Sequence, residues 1–414
     1  MAKIGNSFIT ALDIGATKVV CFIAKLTPQK KISIVGIGHQ VSQGIKSGVI
    51  TDIKLAEQSI RLAVGAAEAM AGVTIDKTFV NISENKQKSN YVKAELNING
   101  HEITKKDIHR LTSQGCEQFK NEDREVIHCI AVDYSLDGAT GIIEPIGMYG
   151  HDITADLHII TASSPTILNL TNCVAQSHLN IEGYISSAYA SGLACLSEDE
   201  KDLGTVVVDL GGSSTSVAIF KGGRLRYVDN IAVGSMNITK DIAIGLSTSI
   251  ESAERLKALH GNVLSTAKDN QEIIDVPNIG EEDDDADENH ITKVNLINII
   301  RPRVEEILEL VASKILNSGY GKTIAHVVLT GGGSHLGGIS ELTGQILKKQ
   351  VRIGIPKYID GMAESTKGPA FSTCAGMLLL AAHHKEMEYS NFEHKTLFSN
   401  SFIGKMAGWF KENF

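Results

Sequence analysis

Twice in this chain a short apolar run ends on an aspartate and turns at once through glycine and hydroxyl residues. The first copy is Asp13-Ile14-Gly15-Ala16-Thr17-Lys18 after Phe8 to Leu12, and the second is Asp209-Leu210-Gly211-Gly212-Ser213-Ser214-Thr215 after Val206 to Val208. Each is followed by another apolar run, Val19 to Ala24 and Val217 to Phe220, so two similar half-domains are implied. Glycine lets backbone N–H groups approach phosphate oxygens closely, and Thr17, Ser213, Ser214 or Thr215 can add hydroxyl donors. A carboxylate repels phosphate. The role that fits Asp13 and Asp209 is to hold Mg2+ through water, because that ion keeps much of its hydration shell. One Asp-x-Gly alone is more often a plain turn between strands; two in the same setting point to a single metal–phosphate cluster.

Competing phosphate motifs are missing. The sequence has no Gly-x4-Gly-Lys-Ser/Thr loop, and Gly331-Gly332-Gly333-Ser334-His335-Leu336 lacks the dinucleotide spacing. The strand-like Val327 to Thr330 instead runs into three glycines. Without Cβ atoms, that backbone can stack on a flat adenine and meet an α-phosphate.

With 414 residues and 43% hydrophobic content, the chain can bury a core large enough to divide into two or more lobes. Periodicity predicts strands at 8–12, 19–25, 32–38 and 78–83, and a helix over 53–71. A small α+β insertion follows at 83–162, with strands near 91–98 and 126–133 and a helix opened by Thr104. Residues 157–161 are expected to resume the interrupted sheet. The second half begins near Gly204 and carries its own insertion. There, a capping-box spacing over Thr248-Ser249-Ile250-Glu251 starts a helix that Gly261 ends. A further helix over 296–317 contains Pro302, where a break or kink is expected. Two segments of small residues, Ser186 to Gly192 and Ser372 to Gly376, suit helices that cross at close range beneath a hinged cleft.

Six cysteines without a Cys-x-x-Cys spacing fit a reducing cytoplasm. The amino terminus shows no signal-peptide pattern, and no segment approaches the roughly 18 apolar residues of a membrane span. Net charge is −9, with seven acids inside 281–288. The acidity is therefore local, reads as a solvated loop, and leaves a body with no nucleic-acid-binding character.

The five elements, in order, are the first Asp-x-Gly loop, a small-residue helix, the second loop, the strand with three glycines, and a second small-residue helix. That order resembles the ATPase fold of actin, sugar kinases and heat-shock chaperones. Within it, the chain closely resembles the FtsA family of bacterial cell-division proteins over essentially its full length. The specific stretches are His128 to Tyr134 with Ile142 to Met148, Ala253-Glu254-Arg255-Leu256-Lys257 with His260-Gly261, Val351-Arg352-Ile353-Gly354, and the carboxyl terminus.

The resemblance implies an α/β, two-lobed actin-like fold of duplicated ribonuclease-H-like domains with a 1C insertion and a carboxyl-terminal amphipathic helix. Its first half would be 1–82 and 163–203, with 1C at 83–162. The second half would be 204–232 and 318–384, with a 2B insertion at 233–317 that includes the acidic loop; 385–400 is a linker. It implies ATP and Mg2+ held by Asp13, Gly15, Ala16, Thr17, Lys18, Asp209, Gly211, Gly212, Ser213, Ser214, Thr215, Gly331, Gly332, Gly333 and Ser334. Glu254 and Lys257, which spacing alone makes an exposed ion pair, become ribose and adenine contacts. One departure bears on chemistry. Polymerising relatives such as MreB place Glu-Pro before the first small-residue helix, where this chain has Gly183 and Tyr184, with Glu182 adjacent at what reads as a helix start. With no general base evident, hydrolysis is expected to be slow and ATP to act as a conformational ligand. Implied partners are the carboxyl-terminal peptide of FtsZ, at the second insertion near Arg301 and Arg303, further copies in filaments, and later division proteins through 1C. A small-molecule kinase or a pilus-assembly adaptor of the same fold is the alternative.

Residues 401–414 read as a one-sided helix. Phe402, Ile403, Met406, Ala407, Trp409, Phe410 and Phe414 share one arc, against Lys405, Lys411 and Glu412. Burying six large apolar side chains gains on the order of 10 kcal/mol before the cost of ordering the helix. The wheel is equally compatible with docking on the protein's own surface. The family resemblance favours reversible anchoring at the cytoplasmic face of the inner membrane, at the division site.

Overall fold

The computed structural model describes residues 7–26, 31–119, 123–277 and 289–389. The acidic tract at 281–288 and the tail at 401–414 lie outside the described residues. The first half comprises β1 (Ser7–Ile14), β2 (Lys18–Leu26), β3 (Ile32–Val41), a small hairpin of β4 (Ile45–Lys46) and β5 (Val49–Ile50), then α1 (Ile53–Ala71) and β6 (Lys77–Ile82). The chain leaves for β7 (Lys88–Asn97), α2 (Lys105–Glu117), β8 (Arg124–Leu136), β9 (Ala139–Ile142) and β10 (Asp152–Ser163). It returns through α3 (Ser164–Gln176), β11 (Asn180–Ser186), α4 (Ser187–Cys195) and α5 (Glu198–Leu203). The second half holds β12 (Thr205–Leu210), β13 (Thr215–Lys221), β14 (Arg224–Ile231), α6 (Ser235–Leu246), α7 (Ile250–His260), β15 (Ile273–Val276) and β16 (Asn289–Thr292). It closes with α8 (Lys293–Asn317), β17 (His326–Thr330), α9 (Ile339–Leu347), β18 (Gln350–Ile353) and α10 (Ser372–Tyr389), which runs past the 385 at which a linker was expected.

The two large sheets have one topology. In the order β3-β2-β1-β6-β11, the first three strands are antiparallel and the last three parallel, and β14-β13-β12-β17-β18 repeats this strand for strand. Strand alternation decides where each face goes. Val207, Ala218 and Val328 turn towards α4, α10 and the first half, while Val206, Val208, Val217 and Leu329 turn towards α6, α8 and α9. α1 forms over the expected span, with the Asp52 carboxylate accepting from the Leu55 N–H and Gly72 ending it in the left-handed region.

Three expectations need correction. Residues 157–161 do not resume the first sheet: they belong to β10, the long central strand of a separate sheet ordered β7-β10-β8-β9. That insertion encloses its own core of Leu111, Ile153, Leu157 and Ile159, while Ile160 and Ala162 of β10 pack into the core of the first half, and the first sheet is regained only at β11. α8 runs through Pro302 without interruption over 25 residues. Ile300, Val304, Ile307 and Leu308 are buried on one face around the proline, and that packing outweighs the ~3 kcal/mol cost of proline in a helix interior. The cap of α7 is Ser249, whose hydroxyl accepts from the Ser252 N–H at 3.0 Å, whereas Thr248 is drawn away to the Pro277 carbonyl.

The insertion is docked on β14, the edge strand of the second half. The Ser89 hydroxyl accepts from the Val228 N–H at 2.9 Å, and Tyr91 donates to the Arg226 carbonyl. Buried His158 lies 3.2 Å from the Leu225 carbonyl through Nδ1 and 2.9 Å from Ser89 through Nε2. A carbonyl only accepts, so Nδ1 carries the proton in the neutral ring. Burial, helped by the Arg226 charge, holds His158 down to about 4, although the bond to Leu225 works the other way. The folded value is below the ordinary 6.5, so the folded state binds fewer protons. The docking therefore stabilises the protein fully above pH 6.5 and loses up to about 3 kcal/mol as pH falls towards 4. A melting series of wild type and His158→Asn checks this: the difference between them should shrink across that window, and a constant difference would refute it.

Candidate nucleotide site

The two Asp-x-Gly turns close by the same hydrogen bond. Gly15 N donates to Lys18 O at 3.0 Å, and Gly211 N donates to Ser214 O at 3.0 Å, so Asp13 and Asp209 occupy equivalent places at the ends of β1 and β12. The tips face each other across the cleft: a Cβ on Gly212 would stand 2.3 Å from Thr17 Cγ2. Asp13 is buried, Asp209 is partly buried, and the two are within electrostatic reach of one another, with the Lys18 ammonium near both. Burial is the main reason the Asp13 carboxyl is pushed up to about 7, with Lys18 opposing and Asp209 adding to the rise. Burial raises Asp209 too, against hydrogen bonds from Ser191 and Thr373. Burial also lowers Lys18, which packs 3.6 Å from the centre of the Phe371 ring. Two desolvated carboxylates sharing one ammonium form a site that a further cation would relax. Among the described residues, no cluster of three His, Cys, Asp or Glu side chains can hold a metal directly.

The polar support comes from residues the sequence did not single out for this role. Asn81, next to last in β6, accepts from Ile14 N and donates to Asp13 Oδ1, both at 2.7 Å. Ser191 of α4 and Thr373 of α10 donate to Asp209 Oδ2 at 2.6 and 3.1 Å. The sequence signal existed: an asparagine inside an apolar strand and hydroxyls on helices otherwise built for close packing. That packing is tight, since a Cβ on Gly376 would lie 1.8 Å from the Ala190 carbonyl oxygen.

The glycine triplet closes the far end. Gly331 is left-handed with φ 83°, and a Cβ there would be 2.2 Å from Asp209 Oδ1. Gly333 lies against Leu210 and Ser235, leaving bare backbone beside the second hairpin. Ser334 is buried and donates to Gly331 O at 2.7 Å, and Thr215 donates to Val233 O at 2.8 Å, so both hydroxyls hold the frame of the cleft. Glu254 and Lys257 do pair at 2.7 Å, and both reach α6: Lys257 Nζ donates to Thr239 Oγ1 at 2.8 Å and lies 3.3 Å from Ser235 O. Ser235 N in turn donates to Gly211 O, which ties the pair to the second hairpin. Arg301 pairs with Glu305, while Arg303 is engaged by Asp241 and Glu306. Glu182 is at a bulge within β11 and does not start a helix, and Tyr184 is turned to Thr171.

Comparison with known proteins places these features in context. Residues 206–376 match the family model described as cell division protein FtsA, and residues 85–161 match the SHS2 domain inserted in FtsA. Cell division protein FtsA of Rhizobium meliloti is 40% identical over 98% of this chain and 95% of its own length. The Pseudomonas aeruginosa protein of that name is 34% identical over 90% and 89%, and the Escherichia coli one 27% identical over 99% of both. Among solved structures, the PilM-PilN type IV pilus biogenesis complex aligns with TM-score 0.64 at 14% identity, covering 90% of this chain and 98% of that one. MreB5 of Spiroplasma citri bound to ADP aligns with TM-score 0.55 at 12% identity over 93% and 99%. At such identities, these two establish the actin-like fold alone.

Proposed function

The chain belongs to the FtsA family and is a cell-division protein of actin-like fold, and from that premise we propose that it is a nucleotide-controlled adaptor that attaches the FtsZ ring to the cytoplasmic membrane. The carrying observation is the pair of equivalent hairpins with the desolvated carboxyls of Asp13 and Asp209 around Lys18. The hairpin backbones, Thr17, Ser213 and Ser214 would meet the phosphates, Gly331 to Gly333 the adenine and α-phosphate, and Glu254 and Lys257 the ribose and base. Mg2+ would supply charge neutralisation between phosphate and the two aspartates. Gly183 and Tyr184 stand where MreB carries Glu-Pro, which supports slow turnover. Relatives at 40% identity over nearly the whole chain leave little room for the kinase or pilus-adaptor readings.

Residues 401–414 would insert Phe402, Ile403, Met406, Trp409, Phe410 and Phe414 into the bilayer surface, with Lys405 and Lys411 at the headgroups. No helix among the described residues is long and apolar enough to cross a membrane. FtsZ's terminal peptide would dock on the second insertion, with Arg301 and Arg303 as candidates, and the 1C insertion would receive later division proteins. Filaments of the chain would follow the actin-like plan. Co-sedimentation tests the anchor: the full chain should pellet with anionic liposomes and blue-shift the emission of Trp409, whereas a chain ending at Asn400 should stay in the supernatant. Equal pelleting of both would refute it.

A further inference from the structure

The cleft above the hairpins encloses about 510 Å3 and is lined from both halves, by Thr17, Lys46 and Ser47 on one side and Ser213, Asn237 and Lys240 on the other. The β4–β5 hairpin reaches across it. Ser47 N donates to Ser213 Oγ at 2.7 Å, and Ser47 Oγ donates to Ser213 O at 3.1 Å. These bonds join the small hairpin directly to the second phosphate loop. The turn itself is Ser47-Gly48, both left-handed at φ 48° and 73°, between the pairs Ile45–Ile50 and Lys46–Val49. Two positive φ values make the mirror-image two-residue turn, whose twist matches that of the flanking strands.

Two lysines stand at this mouth. Lys46 and Lys240 take part in none of the ion pairs among the described residues, and both are exposed. An unneutralised lysine on each side of a polar cleft suits an anion that enters between the halves. The glycine triplet sits by Leu210 and Ser235, at the other end of the loops. A nucleotide whose base lies there would therefore point its terminal phosphate at Thr17, Lys46 and Lys240.

We propose that the β4–β5 hairpin is a clasp that reads the terminal phosphate: Lys46 and Lys240 contact that group from opposite halves, and Ser47 is the positioning residue. The Ser47 N–H occupies a lone pair of Ser213 Oγ, which leaves the single Ser213 proton to be donated to phosphate. The clasp also touches the stalk of the insertion. A Cβ on Gly48 would be 2.5 Å from the Ser83 carbonyl carbon. Next to Ser83, buried Glu84 accepts from Ser163 N at 2.5 Å and from Thr166 Oγ1 at 2.6 Å, clamping the outgoing and returning strands together. Movement of the clasp with phosphate is thereby felt where the insertion joins the first half.

This proposal rests on the reading of the cleft as a nucleotide site, and the experiment separates the two. Mg-ATP and Mg-ADP affinities would be measured on the full chain for wild type, Lys46→Ala, Lys240→Ala and Ser47→Gly, which tolerates the left-handed turn. Each lysine change should weaken ATP about tenfold and ADP less than about twofold, with melting temperature unchanged and Lys46→Arg restoring most of the loss. Ser47→Gly should weaken ATP and speed amide exchange at residues 83–88 in the ATP-bound protein. If wild type binds ATP but the variants lose ATP and ADP equally, or lose neither, the clasp is wrong and the nucleotide site stands. If wild type binds neither nucleotide, the clasp falls together with the site.

Discussion

Gly376→Ala is expected to destabilise the protein by ~3 kcal/mol or more and to abolish nucleotide binding, although it adds one methyl group. The new Cβ would be 1.8 Å from the Ala190 carbonyl oxygen and 2.4 Å from its carbon, and backbone cannot swing aside as a side chain can. α4 and α10 would have to separate. Ser191 on α4 and Thr373 on α10, whose hydroxyl oxygens lie 2.9 Å apart and which both hold Asp209, would separate with them. A denaturant melt and an ATP titration read the two losses. Gly65→Ala on α1 is the control: its Cβ would meet nothing within 4 Å, and the change should be neutral or stabilising by up to ~1 kcal/mol. If Gly376→Ala melts like the control, the helices have slack and the close crossing is not what sets the site.

Asp13→Asn should separate stability from function. Burial pushes the Asp13 carboxyl up to about 7, so its ionised form is a cost that the empty fold carries at neutral pH. Asparagine keeps an oxygen for the 2.7 Å bond from Asn81 and removes the charge. Lys18 retains Asp209 as its counter-charge. The variant is expected to melt at or above the wild-type temperature without nucleotide, while Mg-ATP affinity falls about 100-fold, some 2.7 kcal/mol. The penalty should vanish when Mg2+ is chelated. Undiminished affinity for Mg-ATP would remove Asp13 from the metal-facing role, and a loss that persists without Mg2+ would point to disrupted structure.

Much of the fold was legible because it rests on local rules. Apolar runs closed by Asp-x-Gly became β1–β2 and β12–β13, the 3.6-residue period with Asp52 and Gly72 became α1, and the small-residue segments became crossing helices. Local rules also failed in identifiable ways. Pro302 breaks a helix only when packing does not hold both sides, and here four buried side chains do. Residues 157–161 look like any buried strand, and nothing within them says which sheet will pair with them; β7 and β8, on either side in the insertion, decide it.

The sequence alone determined the duplication, the two Asp-x-Gly loops, the glycine triplet and the family, because each is written in contiguous residues whose backbone preferences act over a few positions. Only the tertiary structure decided how the aspartates are held. Asn81 lies 68 positions from Asp13, and Thr373 lies 164 from Asp209. It likewise decided that Ser47 joins a loop 166 residues away and that the insertion rests on β14 through Ser89 and His158. Hydrogen bonds between groups so distant in the chain exist only after two sheets have packed and excluded water. Until then every one of these polar side chains is satisfied by solvent, and none marks itself as different from its neighbours.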